Sequence, residues 1–212
     1  MTLEAVIFDC DGVVVDSEPA AFELLAQDLA LHGLPMSLDE VHRQFLGGTV
    51  HGLHEKANAM GATLPASWPN DFYDRLYAIL AQGTPLMPGI LTVLDALDAA
   101  SIPFAIGSNG SDEKMQITLG QHGLIPRFKG LFSGQTLGKP KPAPDLYLHA
   151  ARALGANPAH CVVIEDSPTG ARAAKAAGMR CMGYAPHGNP ALADVGAELF
   201  SDMKDLPSLL GL

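Results

Sequence analysis

The sequence predicts an α/β protein with a parallel-sheet core of three layers and an all-helical segment inserted after the first strand. Three observations carry this. Ala5-Val6-Ile7-Phe8, Phe104-Ala105-Ile106-Gly107 and Val162-Val163-Ile164 are short apolar runs, the signature of strands buried on both faces. Each run ends in polar residues: Asp9 and Asp11 after the first, Ser108-Asn109 after the second, Glu165-Asp166 after the third. Between the first and second runs lies a long stretch of helical patterns with no convincing buried strand.

The elements follow in order. After the first strand, Gly12 lets the chain turn sharply. Phe22, Leu25 and Leu29 recur at helical spacing, and Phe72, Leu76 and Leu80 do so again. Gly33-Leu34-Pro35, Gly47-Gly48 and Ala66-Ser67-Trp68-Pro69 read as breaks between helices. Strand and helix alternate again from Pro88-Gly89 to about residue 184. Residues 1–16 and 84–212 are therefore assigned to an α/β core and 17–83 to a helical cap. Hinges are expected near Asp16-Ser17 and Gly83-Thr84-Pro85. The sequence shows no internal repeat, low-complexity tract or heptad pattern.

Composition narrows the function. The chain has 212 residues, enough for one core with a sizeable insertion, and its 48% hydrophobic content marks a globular protein. A net charge of -10 argues against a nucleic-acid partner, since neutralising phosphates requires clustered Lys and Arg. No apolar stretch approaches the ~20 residues that span a bilayer, so no membrane association is expected. Met1-Thr2-Leu3-Glu4 has no basic region before an apolar core, so no signal peptide is expected. The three cysteines, Cys10, Cys161 and Cys181, are odd in number and lack CxxC spacing, which reads as reduced thiols in the cytoplasm.

The polar strand ends point to one crevice. In an open parallel sheet, ligands bind outside the carboxyl ends of the strands. Asp9 and Asp11 lie two apart, so in extended backbone both address one spot. Two like charges so placed are costly unless a cation or a catalytic task uses them. The Ser108-Asn109-Gly110 backbone can aim N–H groups at an anion near a helix start. A lysine comes from the loop Gly138-Lys139-Pro140-Lys141-Pro142-Ala143-Pro144-Asp145.

These segments, in this order, resemble the four motifs of the haloacid-dehalogenase-like hydrolase superfamily: Asp9-Cys10-Asp11-Gly12, Ser108-Asn109, Lys141 within Lys-Pro-Ala-Pro-Asp, and Glu165-Asp166-Ser167. The resemblance runs from residue 4 to about residue 184. It implies a Rossmann-like three-layer core carrying a helical cap. Ser108-Asn109-Gly110, the Lys-Pro-x-Pro-Asp loop and Ala176-Ala177-Gly178-Met179 are similar to the helical-cap branch of sugar-phosphate phosphatases and β-phosphoglucomutases. The tail with His187 is most similar to the 6-phosphogluconate phosphatases.

The resemblance assigns roles. Asp9 is the nucleophile that forms an aspartyl-phosphate, and its place at the end of a strand agrees. Asp11 is the general acid and base. The superfamily's dehalogenases and phosphonatases lack an aspartate there, which favours phosphate-ester chemistry. Ser108, Asn109 and Lys141 bind phosphate. Asp9, the backbone carbonyl of Asp11, and Asp166 hold Mg²⁺, with Glu165 acting through water. Charge supports a cation, because four carboxylates and a dianionic phosphate face one lysine, and hard oxygen donors suit Mg²⁺. Lys141 is preferred to Lys139 because it alone fits Lys-Pro-Ala-Pro-Asp in register.

The expected partner is a small phosphorylated metabolite, a sugar phosphate or phosphorylated sugar acid. The alternatives are an isomerase like β-phosphoglucomutase and a non-catalytic phosphometabolite-binding protein. In the mutase, by resemblance, a cap histidine and a cap arginine keep water from the phosphorylated intermediate. The matching positions here are Ala21 and, within Gly47-Gly48-Thr49-Val50, Val50. Ala21 has no proton donor or hydrogen-bonding group, and Val50 has no charge.

Other signals read as ordinary structure. Gly134-Gln135-Thr136-Leu137-Gly138-Lys139 is one residue short of a P-loop and has Pro140 where Ser or Thr belongs. His51 and His54 lack a third ligand and read as a solvated helix face. Cys10 reads as core filler, and Trp68 as packing. Arg43 reads as a surface charge.

Overall fold

Ala5–Phe8 forms the first strand, β1, with all four side chains buried. The computed structural model describes residues 2–45 and 49–212. After β1 come α1 (Glu18–Leu31), α2 (Leu38–Phe45), α3 (Val50–Ala59), α4 (Trp68–Gln82) and α5 (Ile90–Ala99). Next are β2 (Phe104–Ser108), α6 (Asp112–Gly120), β3 (Leu131–Ser133), α7 (Gly134–Leu137) and α8 (Asp145–Leu154). The chain ends with β4 (Cys161–Glu165), α9 (Pro168–Ala176), β5 (Arg180–Tyr184), α10 (Pro190–Val195), β6 (Glu198–Phe200) and α11 (Leu206–Leu210).

The six strands make one parallel sheet in the order β3-β2-β1-β4-β5-β6. This is a doubly wound order, and β1 lies where the winding reverses. Phe8 is level with Ile106 of β2 on one side and Ile164 of β4 on the other, so the three strands end within two residues of one another. Alternation along β1 divides the core. Val6 and Phe8 pack with Val93, Leu94 and Leu97 of α5 and Met115 and Leu119 of α6. Ala5 and Ile7 pack with Tyr147 and Ala150 of α8 and Ala171 and Ala174 of α9. Helices therefore cover both faces, as the expected three-layer class requires.

Two strands had no clear sequence signal. β3 and β6 have three residues each, too few for a periodicity to register. No helix among the described residues is long and apolar enough to cross a membrane. Cys10, Cys161 and Cys181 are free and buried.

The chain divides into two compact units, Met1–Asp16 with Pro85–Leu212, and Ser17–Thr84. Among its described residues the second unit contains α1 to α4 and no strand. Thr84 groups with the helices, and its buried hydroxyl donates to Leu80 O at 3.0 Å. Trp68-Pro69, read as part of a break, instead opens α4, since proline is tolerated in a first turn where its missing N–H has no partner to lose. The break read at Gly47-Gly48 lies outside the described residues.

Inside the helical unit, buried Asp28 accepts from Trp68 Nε1 at 2.7 Å and from both terminal nitrogens of Arg75 at 2.7 and 2.5 Å. His54 stacks on Trp68 and lies within hydrogen-bond reach of Pro65 O at 3.0 Å, so its ring is engaged in packing. His51 and Arg43 are exposed on α3 and α2.

Candidate functional site

The site grows from the common ends of β1, β2 and β4. Asp9 follows β1, and its N–H donates to Ile164 O at 2.9 Å, extending the pairing one step beyond the strand. Its carboxylate is mostly buried, and Oδ1 accepts from Lys141 Nζ at 2.7 Å. The same ammonium donates to Glu165 Oε1 at 2.7 Å. The Lys141 side chain is 3% exposed, whereas that of Lys139 is 61% exposed and reaches Asp145 at 3.2 Å.

Asn109 carries the lysine loop to this place. Its Oδ1 accepts from Lys141 N at 2.8 Å and its Nδ2 donates to Lys141 O at 3.2 Å. The amide side chain is thus a clamp on backbone. Ser108, the buried last residue of β2, accepts from Gly110 N at 2.9 Å. It does not cap the helix that follows. Ser111 does, accepting from Lys114 N at 3.1 Å. The turn is braced by Gln135 Nε2 donating to Asn109 O and Ser133 Oγ donating to Gly110 O.

Glu165 is fully buried, and both its oxygens are engaged. Oε1 accepts from Lys141 and from Tyr147 O–H, each at 2.7 Å. Oε2 accepts from Asp166 N, Ser167 N and Ser167 Oγ at 3.1, 3.0 and 2.9 Å. Two glycines make the room. A Cβ on Gly170 would lie 1.5 Å from Glu165 Oε1, and one on Gly12, where φ is +76°, would lie 2.1 Å from Asp166 Oδ2.

Electrostatics follow from burial and pairing. Burial pushes the Asp9 carboxyl up to about 7; Lys141 opposes the shift, while the charges of Glu165 and Asp11 add to it. Burial would raise Glu165 as well. The charge of Lys141 and the hydrogen bonds from Lys141, Tyr147 and the Ser167 backbone outweigh it, and Glu165 lies below its usual range. Burial opposes the charge on Lys141, but Asp9 and Glu165 overcome it and hold the ammonium protonated. Tyr147 is pushed well up by burial and by Glu165, so it stays a donor.

One carboxylate oxygen from each of Asp9, Glu165 and Asp166 falls within 4.8 Å of the others. Such hard, anionic donors fit a divalent cation. A cation would offset the burial and the neighbouring negative charges that raise Asp9. Asp9 and Asp166 are the better direct ligands, because Glu165 already satisfies five donors.

Two residues of the site carried no sequence signal. Tyr147 sits on α8 with its ring 4.9 Å beneath the Lys141 ammonium, and Gly107 leaves space for that ring. Lys114 lies on α6 with Nζ 2.8 Å from Asp11 Oδ1. Four carboxylates therefore face two lysines, where the sequence offered only one. Cys10 is 1% exposed and packs in the core, as read.

The family model described as haloacid dehalogenase-like hydrolase matches residues 3–178. The chain is 30% identical over 212 residues to 6-phosphogluconate phosphatase of Escherichia coli (strain K12), covering 98% of this chain and 94% of that one. It superposes on a conserved haloacid dehalogenase-like protein of Agrobacterium tumefaciens str. C58 with a TM-score of 0.88 at 33% identity, covering 99% and 98% of the two chains. A HAD family hydrolase of Deinococcus radiodurans R1, solved with bound phosphate and sodium, gives 0.84 at 34% identity, covering 99% of this chain and 95% of that one. The chain belongs to the haloacid dehalogenase-like hydrolase family.

Proposed function

We propose that this chain is a Mg²⁺-dependent phosphatase that hydrolyses small phosphate monoesters, sugar phosphates or phosphorylated sugar acids, through an aspartyl-phosphate on Asp9. The observation that carries the reading is the Asp9 carboxylate, aimed out of β1 beside the buried Lys141 ammonium at 2.7 Å and the acidic pair Glu165-Asp166. Two names support the substrate class: 6-phosphogluconate phosphatase for the relative, and bound phosphate for the Deinococcus structure.

Phosphate monoesters resist hydrolysis, and matching enzymes supply accelerations of up to ~10²¹-fold. In this reading an Asp9 oxygen attacks phosphorus as the ester P–O bond breaks, and Asp11 gives its proton to the departing alkoxide. Asp11, now ionised, takes a proton from the water that attacks the phosphoryl group. The bond to Asp9 then breaks and inorganic phosphate leaves. Lys141 and the N–H groups after β2 neutralise and orient the phosphoryl oxygens. Asn109 acts through its clamp on the lysine loop and through its backbone, and Ser108 through its hydroxyl. Asp9, Asp166 and the Asp11 carbonyl would hold the cation, with Glu165 through water and through Lys141. When bound, Mg²⁺ supplies charge shielding between carboxylate and phosphate. The helical unit is read as the cap domain.

The test is phosphate release from a panel of sugar phosphates with and without Mg²⁺, beside the Asp9→Asn protein. Mg²⁺-dependent release that Asp9→Asn abolishes is expected. With β-glucose 1-phosphate and a trace of its bisphosphate, free phosphate is expected, because Ala21 and Val50 offer no gate against water. Accumulation of glucose 6-phosphate would replace this reading with the isomerase.

A further inference from the structure

We propose that Lys114 is a positioning residue for Asp11, holding that carboxylate in a single orientation; the inference rests on the reading of Asp11 as general acid and base. Asp11 needs such a support. It lies past the end of β1, on a turn where Gly12 has φ +76° and Gly12 N–H donates to Val15 O at 2.9 Å. The sheet ladder thus fixes Asp9 more firmly than Asp11.

Lys114 supplies the support from α6. Its Nζ lies 2.8 Å from Asp11 Oδ1, with the two side chains only 18% and 25% exposed. A charge-assisted contact with limited access to water restrains a carboxylate better than an open surface pair does. The backbone of Lys114 is itself held at both ends, its N–H by Ser111 Oγ at 3.1 Å and its carbonyl by Thr118 Oγ1 at 2.9 Å.

The placement also runs against local helix preference. Lys114 is the third residue of α6, in the first turn, where the helix dipole favours anions. Asp112 and Glu113 follow that preference and Lys114 departs from it. A local rule broken beside a functional site, with a specific partner in reach, points to a role in that site.

The test compares Lys114→Met, Lys114→Arg, Asp11→Asn and the double variant Lys114→Met/Asp11→Asn, with Mg²⁺ and with p-nitrophenyl phosphate and 6-phosphogluconate as probes. Circular dichroism and thermal unfolding establish folding. Lys114→Met should lower kcat roughly 10- to 100-fold with KM little changed, as expected for a displaced acid–base group. Lys114→Arg, which keeps a cation able to grip the carboxylate, should restore most of the rate. In the Asp11→Asn background Lys114→Met should cost nothing further, or, where Asp11→Asn has no measurable turnover, the kcat–KM split and the arginine rescue decide. An unchanged kcat in Lys114→Met, a rise in KM alone, or multiplying losses in the double variant would overturn the inference. Wild-type turnover in Asp11→Asn would instead overturn the reading of Asp11.

Discussion

Asp9 and Lys141, 132 residues apart in sequence, form a buried ion pair with Nζ 2.7 Å from Oδ1. The pair is asymmetric in its supports. Lys141 has a second carboxylate in Glu165, whereas Asp9 has one lysine and two acidic neighbours.

Asp9→Asn should abolish phosphatase turnover while making the metal-free protein more stable above neutral pH. The folded Asp9 carboxyl titrates near 7, against 3.8 ordinarily. Below the lower value both folded and unfolded chains hold the proton. Between the two values the unfolded chain loses it first, so stability falls as pH rises through that window. Asparagine, nearly isosteric and neutral, escapes the loss. Melting temperatures in EDTA should therefore diverge in favour of the variant between about pH 4 and pH 8. Equal melting at both extremes would contradict this.

Lys141→Ala and Lys139→Ala should differ sharply. The first leaves Asp9 and Glu165 buried without their cation and removes a charge from the phosphate, a loss on the order of 2–4 kcal/mol in the transition state. The second breaks an exposed contact with Asp145 and should leave kcat/KM nearly unchanged. Phosphate-release kinetics on both proteins decide the matter. A reversal of the two effects would move the role to Lys139.

Much of this was legible in the sequence because strand ends in a parallel sheet concentrate polar residues after apolar runs. Asp9, Ser108 and Glu165 each follow or close such a run, and the register of β1 with β2 and β4 brings those ends level. Tyr147 and Lys114 were not legible. Their helices bury one face, and nothing in a helical pattern tells a tyrosine in the core from one donating to a buried carboxylate. The five donors on Glu165 were likewise hidden, since they come from three separate segments and need the room that Gly170 leaves for the carboxylate. Beyond residue 184, β6 and α11 gave no pattern long enough to read, being three and five residues.

Asp28→Ala should destabilise the helical unit. Asp28 is 2% exposed and joins α1 to α4 through Trp68 Nε1 and Arg75. Its loss strands a buried indole N–H and a guanidinium, though Arg75 is exposed enough to regain water, so about 2–3 kcal/mol is expected. Chemical denaturation checks the value. Arg75→Met should cost less, because Trp68 still donates to Asp28.

Metal binding should be linked to the proton on Asp9. A divalent cation held by Asp9 and Asp166 requires both as carboxylates, yet burial and neighbouring charge keep Asp9 protonated up to about pH 7. Below that value the cation must displace the proton, so apparent Mg²⁺ affinity should fall roughly tenfold per pH unit, and should level off above it. Calorimetry in buffers of different ionisation enthalpy reads the displaced proton directly, without any turnover. About one proton per bound ion is expected at pH 6 and far less at pH 8. Asp9→Asn should bind more weakly at pH 8 but show little pH dependence, since it has no proton to lose. Asp166→Ala should weaken binding at both pH values and keep the Asp9 linkage. A wild-type affinity flat from pH 5 to 8 would mean that Asp9 either is not a ligand or is already ionised there; the Asp9→Asn protein separates the two, because its affinity falls only if Asp9 is a ligand.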